Sequence, residues 1–125
     1  MKVYFNPNGT ISNIPSDDTK FFQNSGNDQE LVLYGIPAGE DVLITFSRPD
    51  KVKYGPYVGE YQLDESVVCP IPIEALEVAG GVKISIIAQH EVEEEMGGIV
   101  TTKLVRHAYA MVGITVYEND AVVVP

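Results

Sequence analysis

Two stretches of this chain alternate apolar and polar residues with a period of two. Residues 41–48 set Val42, Ile44 and Phe46 against Leu43, Thr45 and Ser47. Residues 82–89 set Val82, Ile84, Ile86 and Ala88 against Lys83, Ser85 and Gln89. That period belongs to an extended strand with one buried face; a helix, repeating every 3.6 residues, cannot segregate such a pattern. Ile87 interrupts the polar side of the second stretch, which predicts contact on both faces of that strand.

The rest of the chain supplies strands of similar length divided by turn residues. Val3-Tyr4-Phe5 and Thr10-Ile11 flank Asn6-Pro7-Asn8-Gly9, which suits a short hairpin. Residues 30–34 form an apolar strand, residues 57–63 a polar and aromatic one, and residues 66–69 a short apolar one stopped by Pro70, which has no N–H for a ladder. The acidic run Glu91-Val92-Glu93-Glu94-Glu95-Met96 turns through Gly97-Gly98 into residues 99–106, a second hairpin, and residues 111–117 form a further strand. One helix is expected, between Pro72 and Gly80-Gly81, with room for one or two turns. Residues 1–28 include an irregular, polar arm pinned by Phe21 and Phe22. The expected fold is all-β: an antiparallel β-sandwich with one short helix, a single domain over residues 1–125. A chain of 125 residues can bury roughly two-thirds of its unfolded surface around one core.

Charge narrows the partners. Eight basic against 18 acidic residues give a net charge of −10, which repels phosphate backbones and anionic bilayers, so neither nucleic acid nor a membrane is an expected partner. The first residues lack the apolar core of a signal peptide, and no apolar run approaches the roughly 18 residues that would span a bilayer. The expectation is synthesis in the cytoplasm. The single cysteine, Cys69, cannot form an intrachain disulfide, and in the run Ser66-Val67-Val68-Cys69 it reads as a small buried apolar side chain. Asn8-Gly9-Thr10 matches a glycosylation acceptor but reads better as a turn.

No pattern for chemistry emerges, and no cofactor or metal is expected. His90 and His107 stand in no ligand spacing, and no Gly-x-Ser-x-Gly elbow or phosphate loop surrounds the glycine pairs. Glu91, Glu93, Glu94 and Glu95 have the oxygen chemistry of a calcium site, but without EF-hand spacing they read as a solvated hairpin arm. Paired carboxylates, as a small hydrolase would use, are abundant because the chain is acidic. Tyr54, Tyr57 and Tyr61 fit either a contact patch, including stacking platforms for a carbohydrate, or ordinary cross-strand packing. The lack of Trp counts against the carbohydrate reading.

The order of short motifs carries one resemblance. Phe22-Gln23-Asn24-Ser25-Gly26-Asn27 precedes an apolar strand; Asp41-Val42-Leu43-Ile44-Thr45-Phe46-Ser47-Arg48-Pro49-Asp50 follows; then come a tyrosine-rich hairpin and Ile71-Pro72-Ile73-Glu74-Ala75-Leu76-Glu77-Val78-Ala79-Gly80-Gly81 before a strand. Across residues 21–117 this resembles the N-terminal domain of phage baseplate upper proteins and related tail or head fibre attachment domains. The family pattern has Gln-Gly in the first turn and Asp-Gly after Arg-Pro, where this chain has Gln23-Asn24 and Asp50-Lys51. The resemblance implies an immunoglobulin-like β-sandwich, commonly a homo-trimer, that fastens a fibre or receptor-binding protein to other structural proteins of the virion, with no catalytic residues. The surface expected to do this comprises Phe21, Phe22, Tyr54, Tyr57, Tyr61 and the run Val122, Val123 and Val124. Three exposed valines would each forgo roughly 1.5 kcal/mol or more of burial unless something covers them.

Overall fold

The computed structural model of the protein describes residues 1–17 and 19–119. Eleven strands and one helical turn follow in order: β1 Lys2–Phe5, β2 Ile11–Asn13, β3 Phe21–Phe22, β4 Glu30–Tyr34, β5 Asp41–Ser47, β6 Lys53–Val58, β7 Glu60–Tyr61, β8 Val67–Pro70, a 3-10 turn Ile73–Leu76, β9 Gly80–Met96, β10 Ile99–Ala108 and β11 Val112–Tyr117. They form two sheets. One has the order β2-β1-β4-β8-β7; the other has the order β3-β11-β9-β5-β6, with β10 paired to β9.

The alternation seen in the sequence is the reason these sheets face each other. Val42, Ile44 and Phe46 of β5 and Val82, Ile84, Ile86 and Ala88 of β9 are buried, and the intervening residues point out. They meet Val3 and Phe5 of β1, Leu31 and Leu33 of β4, and Val67 and Cys69 of β8 in one core. Ile71, Ala75 and Leu76, from the turn region after β8, fill one end. At about 25 cal/mol per Å2 each such side chain contributes roughly 1.5–3 kcal/mol.

Two details depart from expectation. The sheets are mixed rather than antiparallel: β1 pairs parallel with β4, and β11 parallel with β3. Both parallel pairs involve the first 28 residues, whose polar composition hides the two-residue strand β3. The expected strand over residues 57–63 is instead two strands in different sheets, since β6 pairs β5 and β7 pairs β8. The chain crosses between sheets at Gly59, whose N–H donates to the Val42 carbonyl. A Cβ there would stand 2.4 Å from Cγ1 of buried Val67. The helix is a single 3-10 turn, because β9 already begins at Gly80, where φ is +125°.

Candidate interaction surfaces

Strand β9 is 17 residues long, far beyond what the sandwich needs. From Lys83 to Gln89 it is hydrogen-bonded to β5, and from Gly80 to Ile84 to β11. Beyond Gln89, among the described residues, it pairs only with β10, and the two run on as a free ribbon to Met96 and Ile99. Gly97 and Gly98 close it at φ +60° and +82°, a two-residue turn with both φ values positive, whose twist matches that of the strands. Every residue of β10 is exposed.

Register assigns the side chains of this arm to two faces. The face continuing the core side of β9 carries Val92, Val105, Met96 and Ile99, with Lys103 3.8 Å from Glu94. Met96 is 78% and Ile99 67% exposed. The outer face carries Glu91, Glu93 and Glu95 opposite Leu104, Thr102 and Val100. The base of the arm is tied down by His90, whose Nδ1 lies 2.8 Å from Oε1 of Glu40, and by Arg106, whose Nε donates to Oε1 of Gln89 at 3.1 Å. An isolated two-stranded ribbon is marginal in water, and unpaired edges invite another chain while charged side chains limit which one.

The residues expected to bind are dispersed. Phe21 is buried on β3, whereas its neighbour Phe22 is exposed, tilted against Tyr117 at 5.9 Å between ring centroids. Tyr57 packs edge-on against Phe46 in the core, and burial pushes its phenol upward in pKa. Tyr54 lies under the Arg48 guanidinium, 5.1 Å from its ring centroid. Tyr61, across the Gly59 crossing, donates its hydroxyl to the Ile36 carbonyl at 2.9 Å. The three tyrosines therefore do not share one platform. Val122, Val123 and Val124 lie outside the described residues.

Among the described residues, no three His, Cys, Asp or Glu side chains are grouped to hold a metal ion, and no helix is long and apolar enough to cross a membrane. Cys69 is buried, as expected, and burial pushes its thiol up to about 11. His107 stacks on Tyr109 at 4.7 Å.

No protein-family model matches this sequence, and a search of curated proteins finds none that matches it.

One surface has no counterpart in the sequence reading. Ser47, Lys51, Lys53, Lys83, Ser85 and Met111 line a groove at the end of the second sheet opposite the arm. Lys53, Ser47 and Lys83 sit side by side on β6, β5 and β9. Among the described residues none of these lysines has a carboxylate within ion-pair distance; the nearby Arg48 is already held by Asp50 at 2.6 Å and Glu77 at 3.2 Å. Lys51 and Lys53 are neighbours in sequence, and the register of β6, β5 and β9 brings Lys83 beside them.

Proposed function

We propose that this chain is a non-enzymatic assembly module, an immunoglobulin-like sandwich that fastens one structural protein of a phage virion to another at a baseplate or fibre. The observation that carries the reading is the β9–β10 arm, a ribbon whose outer edges have no strand partner among the described residues and whose inward face sets Val92, Val105, Met96 and Ile99 around the Lys103–Glu94 pair. Such a ribbon suits capture of an extended or edge strand, with main-chain hydrogen bonds supplying affinity and side chains supplying choice of partner. The motif order between Phe22 and Gly81 supports placing that partner in a virion.

The test replaces residues 91–104 by Asn-Gly, which joins His90 to its cross-strand neighbour Val105 by the same kind of two-residue turn. The full chain, coexpressed with tail and fibre proteins encoded beside it, is expected to copurify with one of them. The shortened chain is expected to fold and to lose that partner. Retention of the partner by the shortened chain, or a gene neighbourhood without virion proteins, overturns the proposal.

A further inference from the structure

The outer face of β9 reads Lys83, Ser85, Ile87, Gln89, Glu91. Ile87 is the centre of this series. The cation and the anion stand four residues to either side of it, and polar uncharged residues stand two to either side. Read against a reversed copy of itself, the series sets Lys83 on Glu91, Ser85 on Gln89 and Ile87 on Ile87.

The neighbouring strands extend the same pattern. In the central row, Val58 of β6, Leu43 of β5, Ile87 of β9 and Ala108 of β10 lie next to one another across the sheet. These are apolar residues on the outward side; Val58 is 69% exposed, and Leu43 and Ile87 are half-buried. At one end of the face lies the groove of Lys51, Lys53 and Lys83, and at the other the glutamates of the arm, 91, 93 and 95.

From these observations we infer that the outer face of the second sheet is the contact between two copies of this chain. The copies are related by a two-fold axis that runs across β9 at Ile87. This deepens the assembly reading and rests on it, by naming a second copy as one of the partners. The rotation reverses strand direction and turns the two faces toward each other, so each lysine groove receives the other copy's acidic arm and the apolar rows meet between them. A contact of this kind uses one patch twice, which is how most two-fold dimers are built.

Physical distance decides between copies and within a copy. Lys83 and Glu91 are eight residues apart on one continuous strand, about 26 Å at 3.3 Å per residue. That exceeds the roughly 8–10 Å over which salt lets exposed charges attract, so these charges find each other only in a second molecule. At a net charge of −10, two copies repel except where cations concentrate. Four of the chain's eight basic residues line this groove, and of these Arg48 is paired with Asp50 and Glu77.

The experiment is light scattering on the full chain at micromolar concentration in low salt. Wild type is expected to be a dimer that weakens as salt rises. Lys83→Glu and Glu91→Lys both alter exposed side chains, and circular dichroism serves to check that each variant keeps the fold. Each alone places like charges together at two symmetric contacts and is expected to raise the dimer Kd by at least about tenfold. Mixing the two variants restores both opposite-charge contacts, and so does combining both changes in one chain, so dimers are expected to return in each case.

A wild type that is monomeric or trimeric, or single variants that dimerise like wild type, overturns the inference. So does a monomer in which Lys83→Glu abolishes binding of an acidic segment from another protein. A monomeric chain that still loses its virion partner when residues 91–104 are removed leaves the assembly reading standing and sinks only the two-fold contact.

Discussion

The two halves of β9 differ in what covers them and hardly at all in backbone. From Lys83 to Gln89 the strand has β5 along one edge and the ends of β11 and β10 along the other, and the inward side chains Val82, Ile84, Ile86 and Ala88 of this half are buried. From His90 to Met96 the inward positions continue with His90, Val92, Glu94 and Met96, one edge has no strand partner among the described residues, and burial falls away toward Met96. Glutamates take over the outward positions where Lys83 and Ser85 stood. The first half is held by burial. The second is held by its cross-strand ladder, its Gly-Gly turn and the ties at its base, so its exposed apolar residues, Met96 and Ile99 above all, add little to the stability of the isolated chain. The proposed assembly role gives them a use.

The largest effect expected from that contrast is a pair of substitutions of the same kind. Ile84→Ala should lower unfolding free energy by about 2–5 kcal/mol, while Ile99→Ala should stay within about 0.5 kcal/mol, both read by urea denaturation. Equal losses would mean that the arm is part of the core. Gly59→Ala comes next, at about 1–3 kcal/mol, because the added methyl meets Cγ1 of Val67 at the crossing between the sheets. A neutral result would mean that the crossing relaxes freely.

The smallest effect concerns the sandwich's own surface. The Arg48 guanidinium donates two hydrogen bonds to Asp50 and holds that carboxyl below the usual range. A lowered folded-state pKa means the contribution is complete above the unfolded value of about 3.9 and is lost as pH falls through the folded value. Asp50→Asn should therefore lower stability slightly at neutral pH. Its curve should converge on that of wild type in acid, measured as Tm against pH.

Most of the framework was legible because it follows from local pattern. Strands β4, β5 and β11, both hairpins and the buried Cys69 lie where alternation, turn residues and Pro70 put them. What could not be read depends on residues remote in sequence. Phe21 and Phe22 form a strand only because β11 offers an edge. The split of the tyrosine-rich segment depends on Val67 leaving no room at Gly59 for a side chain. The separation of Tyr61 from Tyr54 and Tyr57 follows from that split. The apolar Ile87, which pointed to contact on both faces, was the one trace in the sequence of the row it forms with Val58 and Leu43. The groove was not legible because Lys83 of β9 reaches Lys51 and Lys53, at the start of β6, only through the pairing of both strands with β5.

The arm is also the free end of a central strand. Inter-strand hydrogen bonds lie perpendicular to the strands they join, so a partner pulling outward along the arm would load the ladder from Asp41–Gln89 to Ser47–Lys83 in shear. Its bonds would share the force instead of parting one after another. A tether fixed to an edge strand and pulled sideways would unzip; one continuous with β9 transmits tension straight into the middle of the sheet.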